Sequence, residues 1–274
     1  MIITLKEGLS IPYRFKFFKR CLYKEKKLSE VKSNGEFLLS MSNTDGLELK
    51  FKNKSYLTST TKDPLIFSPV KLSYNTESNV FFIKNKEHLK MQWDKHKEKY
   101  RNSKNLSMIL VIERLYFHVL LGLEYDLLSS GSYAPFFSDV YNKEINEDTV
   151  LKGMNWVSNP LSIPVKISYE LSKYGNNIVF LTGVVSLDEE NLTRLITDKN
   201  FQQHAKSYHY TKNFTIESDI KVVYDLETGY LLSSVFMIKI DGKEEGIEEE
   251  ISFELNQEGK ESPEKLTYKS FILE

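Results

Sequence analysis

The chain has 274 residues, of which 41% are hydrophobic and 13% aromatic, enough to bury a sizeable core and to exclude a disordered chain. The 37 basic and 38 acidic side chains give a formal net charge of −1, and most of the basic ones are Lys rather than Arg. Neither nucleic acid nor an anionic membrane is therefore expected as a partner.

The start of the chain is basic, whereas a late segment, residues 244–254, is acidic. The two segments either face each other or face a partner, or each is the solvated side of a strand. If the early segment, residues 14–32, is a partner-docking surface, its candidate residues are Lys19, Arg20, Lys24, Lys26 and Lys27.

Cys21, the single cysteine, excludes a disulfide within one chain, which fits a reducing compartment. Its basic neighbours can lower a thiol pKa, but no partner His is recognisable and we expect an inert thiol. Residues 1–7 contain a Lys and a Glu, and no apolar core of signal-peptide length follows. We therefore expect a cytoplasmic protein, or a periplasmic one if a leader has been removed.

Strand signals come next in the chain. Residues 37–41 and 47–51 alternate apolar and polar side chains around an Asp-Gly turn, which predicts a hairpin. Further strands are expected over residues 70–74 and 80–83. Apolar residues then recur at helical spacing, which predicts an amphipathic helix over residues 86–101. Two of its histidines share a stripe, but the Glu of a zinc-protease helix is missing, so no metal is expected.

Residues 106–128 are the most apolar stretch, but charged residues interrupt them before the roughly 20 apolar residues that a membrane span needs. We expect a buried helix that a curved sheet covers. Arg114 and His118 share one face of this helix, and with Glu113 they are the candidate orienting groups of an apolar ligand pocket. Alternatively, these three side chains reach the open side of the helix or pair with strand residues.

Residues 129–160 lack periodicity, so they are the expected long connection. The chain is predicted to be a single β-rich domain over residues 1–274, with a candidate seam here between 1–128 and 161–274. Alternation resumes over residues 163–171 and 178–187, which predicts two more strands.

A short helix to about Asp198 should follow, since Ser186 and Glu189 have capping-box spacing. Four alternating stretches then predict consecutive antiparallel strands over residues 208–224, 230–240, 247–255 and 266–272. The predicted fold class is α+β and β-dominated, with a strongly curved antiparallel sheet, a half-barrel, packed around one or two helices.

The loop Asp225-Leu226-Glu227-Thr228-Gly229 joins two of these strands, with Asp and Gly where such a turn requires them. Residues 222–231 around it, and the strand-to-helix passage 79–87, resemble elements of bacterial lipoprotein-carrier (LolA-like) half-barrels and related β-rich proteins. The resemblance implies a sheet wrapped around helices to form an apolar concavity. Unlike that type, the sequence shows neither a leader nor a lipobox cysteine near its start.

Catalytic motifs are missing: the sequence has no Gly-x-Ser-x-Gly elbow, Gly-rich phosphate loop or paired metal-carboxylate motif. We therefore expect a non-catalytic binding protein, without cofactor or metal, whose concave apolar cavity takes an apolar ligand or a protein segment. The alternative is a cytosolic immunity or accessory protein that binds a partner protein through charged surfaces. An enzyme of unknown class is the third hypothesis.

Overall fold

The computed structural model describes residues 1–42, 46–54, 70–75, 80–101, 140–141, 143–152, 156–157, 163–175, 177–197, 214–242 and 246–260. The strands within them are β1 (Ser10–Tyr23), β2 (Lys26–Ser42), β3 (Gly46–Lys54), β4 (Val70–Asn75), β5 (Val80–Ile83), β6 (Val150–Lys152), β7 (Trp156–Val157), β8 (Pro164–Gly175), β9 (Ile178–Leu187), β10 (Thr215–Asp225), β11 (Leu231–Gly242) and β12 (Ile247–Gln257). The helices are α1 (Lys86–Arg101) and α2 (Glu189–Thr197).

All of these strands belong to one antiparallel sheet in the order β5-β4-β3-β2-β1-β12-β11-β10-β9-β8-β6, with β7 also paired to β8. At its centre β1 pairs with β12, from Tyr13 opposite Gln257 to Tyr23 opposite Ile247. Strands from both sides of residues 129–160 therefore share one sheet. The prediction of a β-dominated fold with a large antiparallel sheet and few helices is confirmed for the described residues.

Local sequence signals account for most of the elements. The predicted hairpin is β2–β3, in which residue 37 pairs with residue 51 and residue 39 with residue 49, so the backbone register keeps positions of one parity opposite each other. The strands expected over residues 70–74 and 80–83 are β4 and β5, and the expected amphipathic helix is α1.

Helix α2 begins at a different cap from the one predicted. Ser186 lies within β9, so the capping-box prediction is wrong. The cap is Asp188, whose Oδ1 accepts from the Asn191 backbone N–H at 3.2 Å. Lys166 Nζ lies 3.1 Å from the same carboxylate oxygen. Burial opposes ionisation of Asp188, but the hydrogen bonds from Asn191 and Lys166 outweigh it and lower the pKa of this carboxyl.

The core lies on one side of the sheet, which we call the inner face. Alternate residues of the central strands supply it, among them Phe236 and Ile238 of β11 and Phe253 of β12. Aromatic rings pack there, with the Tyr13 and Phe37 ring centroids 5.5 Å apart. The opposite side, the outer face, is polar along β1 and β12.

The prediction that one side of the strand in residues 208–224 is exposed to solvent is correct only in part. Glu217 and Asp219 are exposed as predicted, but Val223 on the same side is buried with Ile178, Phe180 and Leu232. The sheet is thus buried on both sides near the β10–β11 turn. Residues 208–213 and the strand predicted over residues 266–272 lie outside the described residues.

Candidate functional site

Charged side chains meet across β1 and β12 on the outer face. Lys16 Nζ lies 3.1 Å from Glu254 Oε2, and Arg20 Nη2 lies 2.9 Å from Glu250 Oε2 and 3.4 Å from Glu248 Oε1. We call the ion pairs of Arg14, Lys16 and Arg20 on this face the charge ladder.

Arg14 reaches both neighbours of β1. Its Nε donates to Glu36 Oε1 of β2 at 3.0 Å, and its Nη2 donates to Glu258 Oε1 at 2.9 Å. Of the alternatives for the basic and acidic segments, the one in which they face each other is therefore correct for Lys16 and Arg20. The partners of Arg14 lie outside the acidic segment.

Lys19 is on the other side of β1 from the charge ladder. It is 7% exposed, and its Nζ lies 2.8 Å from Oε1 of Glu249, which is fully buried on β12. The prediction that Lys19 belongs to an exposed docking surface is wrong. The alternation of the sequence could have predicted this burial, because Lys19 falls on the same side of the strand as Phe17 and Cys21.

The thiol of Cys21 is buried beside this ion pair, directly across the β1–β12 ladder from Glu249. Its pKa is raised from 9.0 to about 12, mainly by burial and next by the Glu249 carboxylate, while Lys19 partly opposes the rise. A neutral, buried thiol is a poor nucleophile, which agrees with the expectation of an inert cysteine.

Three of the predicted docking residues lie at or beside the turn between β1 and β2. Lys24, Lys26 and Lys27 are exposed there, and Lys27 Nζ lies 3.9 Å from Glu30 Oε2. Lys24 (φ 47°) and Glu25 (φ 62°) both adopt left-handed backbone conformations, which two-residue hairpin turns require and which Asn or Gly adopt more easily.

Five tyrosines come together at the opposite end of the inner face, and we call them the tyrosine cluster: Tyr13, Tyr141, Tyr169, Tyr224 and Tyr230. The Tyr141 and Tyr224 rings pack edge to face, with centroids 5.9 Å apart. Burial is the main cause that raises the pKa of Tyr13, Tyr141 and Tyr169, and electrostatic interactions with other members of the cluster add to it. These three phenols are therefore protonated donors at neutral pH.

The hydroxyls of the cluster differ in their hydrogen bonds. Tyr13 Oη donates to the Leu231 carbonyl at 2.6 Å, and Tyr230 Oη donates to the Leu9 carbonyl at 3.2 Å. Within the described part of the chain, the buried hydroxyls of Tyr141 and Tyr169 have no hydrogen-bond partner. The same holds for Ser234 Oγ, which is buried on the adjacent stretch of the inner face.

The N-terminal segment, residues 1–9, lies over this end of the sheet. Ile3 forms a β-bridge with Tyr141 and is fully buried. The Lys6 amide donates to the Thr228 carbonyl at 2.9 Å, and the Ile145 amide donates to the Met1 carbonyl at 2.7 Å. The turn before β11 packs so tightly here that a Cβ at Gly229 would lie 2.2 Å from the Thr4 carbonyl oxygen.

The predicted pocket residues Glu113, Arg114 and His118 lie outside the described residues, as does the whole predicted buried helix. In the part of the chain that the structure describes, no helix is long and apolar enough to cross a membrane. No group of three or more metal-ligating side chains occurs among the described residues. On α1, His88 instead contacts Gln92, with the Nε2 atoms 3.1 Å apart.

Sequence reasoning missed the tyrosine cluster. Alternation placed Tyr169, Tyr224 and Tyr230 in strands, but the cluster also includes Tyr13 and Tyr141, which are remote from them in the sequence. Comparison with protein-family models and with curated proteins finds no match. The resemblance to lipoprotein carriers therefore stays a prediction, and function has to be argued from the inner face itself.

Proposed function

We propose that this chain is a non-catalytic binding protein whose sheet curves as a half-barrel and holds an apolar ligand, or an apolar protein segment, against its inner face. Ligand sites are mostly apolar and carry a few well-placed polar groups. The inner face has this composition. Its aromatic end combines Phe15, Phe37 and Phe253 with the tyrosine cluster.

The observation that carries the proposal is a set of buried hydroxyls with no hydrogen-bond partner among the described residues, those of Tyr141, Tyr169 and Ser234. Buried polar groups are nearly always hydrogen-bonded, and leaving one unsatisfied costs about 1–3 kcal/mol. Several such groups on one apolar face are explained if a bound molecule supplies the missing partners.

The charge ladder argues for this proposal over the charged-surface alternative. Arg14, Lys16 and Arg20 already have acidic partners within the chain. A partner protein would have to compete with these contacts.

Native mass spectrometry of the purified protein, followed by solvent extraction, tests the proposal. We expect a co-purifying apolar species in a stoichiometric complex, or uptake of an apolar probe by the extracted protein. Protein that carries no such species and takes up no apolar probe would contradict it.

A second candidate function is docking of an acidic partner protein at the β1–β2 turn. It is favoured by the exposure of Lys24, Lys26 and Lys27 on a turn whose two central residues adopt a conformation that costs L-residues energy. Charge reversal of these three lysines should slow association with such a partner, and salt should weaken the wild-type complex. Binding that is indifferent to both changes would exclude this function.

A further inference from the structure

The tyrosine cluster also restricts the chemistry of the ligand, on the basis of the proposed function above. The Tyr141 ring packs edge to face on the Tyr224 ring, and Tyr169 also interacts electrostatically with Tyr224. The two hydroxyls that lack a partner among the described residues therefore belong to the same end of the inner face. Because burial keeps these phenols protonated, what they offer is two O–H donors. A molecule that satisfies them must carry hydrogen-bond acceptors.

The charge of the ligand follows from the same surroundings. Burial is the main cause of the raised pKa of Tyr13, and the carboxylate of Asp225 adds to it. An anion brought to this buried end would lose its hydration and meet the like charge of Asp225, and an uncharged group avoids both costs. A carboxylate headgroup is therefore disfavoured, whereas an uncharged carbonyl oxygen is compatible with the site.

We propose that the tyrosine cluster binds the neutral carbonyl end of an apolar ester or amide, with the Tyr141 and Tyr169 hydroxyls donating to its oxygen and the aliphatic body lying along the inner face. The N-terminal segment has to move for the ligand to enter, because it contacts two members of the cluster directly, Tyr141 through the Ile3 bridge and Tyr230 through the Leu9 carbonyl.

Three probes of equal chain length separate the possibilities: methyl decanoate, decanoate and decane. Equilibrium dialysis against the full-length protein should show methyl decanoate bound at least about fivefold more tightly than either of the others, because it alone combines neutrality with a carbonyl acceptor. The doubly substituted Tyr141→Phe/Tyr169→Phe protein should bind methyl decanoate and decane equally.

Tyr13→Phe is the matched control, because Tyr13 already donates to the Leu231 carbonyl. It should lower stability in urea but keep the preference for the ester. The double variant should unfold no more easily than the wild type, since it loses no hydrogen bond. On ester binding, the Lys6 and Ile145 amides should exchange with solvent faster while amides at the centre of the sheet stay protected.

The outcomes distinguish this inference from the proposed function. Equal binding of methyl decanoate and decane by the wild type, or tighter binding of decanoate, would overturn the carbonyl assignment and leave a general apolar site. An unchanged ester preference in the double variant would also overturn it. If none of the three probes binds, the carbonyl assignment fails. If no apolar species co-purifies with the protein either, the proposed function itself fails.

Discussion

The two faces of the β1–β12 pair carry the same kinds of charged side chain in opposite surroundings. On the outer face, Arg20 and Glu250 are in contact with side chains 38% and 42% exposed, whereas on the inner face Lys19 and Glu249 are in contact at 9% and 0%. Exposed ion pairs contribute about 0–1 kcal/mol, because water screens them and long side chains lose conformational freedom.

The buried pair follows different energetics. Removing two charges from water costs several kcal/mol per ion, so the pair itself adds little net stability, but loss of one partner leaves the other charge uncompensated. The comparison shows that the contribution of a charged residue to stability depends more on the side of the strand that it occupies than on its residue type. The following substitutions test that difference.

The largest effect is expected for Glu249→Ala. It leaves the Lys19 ammonium buried beside apolar neighbours, and the free energy of unfolding should fall by about 3–5 kcal/mol in urea denaturation. The control is Lys19→Met combined with Glu249→Leu, which removes both charges at similar volume and should be close to the wild type or more stable. If the Glu249→Ala protein were as stable as the wild type, the ion pair of Lys19 and Glu249 would have to be solvated.

Gly183→Ala should have the next largest effect. A Cβ at position 183 on the inner face would lie 2.5 Å from Ile220 Cγ2, and such overpacking costs about 1–3 kcal/mol. Ile220→Ala in the same protein should make the combined loss smaller than the sum of the two separate losses.

The matched control for Gly183→Ala is Val184→Ala on the outer face. Val184 is 48% exposed, so its truncation should change stability by no more than about 0.5 kcal/mol. Equal effects at positions 183 and 184 would contradict the assignment of the two faces.

Alkaline pH should lower the free energy of unfolding, because a thiol and phenols are buried on the inner face. The Cys21 thiol ionises at 9.0 in an unfolded chain but at about 12 in the fold, so between these values the unfolded state has lost a proton that the folded state keeps. The corresponding stability is present below pH 9 and is lost as pH rises toward 12, and the raised pKa of Tyr169 adds to the loss above 10. Urea midpoints at pH 8, 9, 10 and 11 measure it, and Cys21→Ala should reduce the slope.

The smallest effect is expected for Arg20→Ala on the outer face. Loss of its contacts with Glu248 and Glu250 should lower the free energy of unfolding by less than about 1 kcal/mol, and by less still at 1 M salt. A loss comparable to that of Glu249→Ala, and insensitive to salt, would mean that the charge ladder is as tightly coupled as the inner pair.

Several elements were predictable because their determinants are local. Alternation over residues 247–255 identified β12, and helical spacing identified α1, since each pattern depends on side chains within a few residues of one another. The capping prediction failed because Ser186 and Asp188 both suit a helix start, and pairing with β8 extends strand β9 through Ser186, which lies opposite Lys166.

The sequence by itself determined that the chain is β-dominated, that its strands have an apolar side, and that a basic and an acidic segment exist. Only the tertiary structure decided which segments meet, because the β1–β12 pairing joins residues more than 220 positions apart and no local pattern encodes that register. That pairing placed Lys19 against Glu249 and directed Arg14, Lys16 and Arg20 to acidic partners. The N-terminal segment, brought onto the same sheet, contacts the tyrosine cluster through the β-bridge between Ile3 and Tyr141.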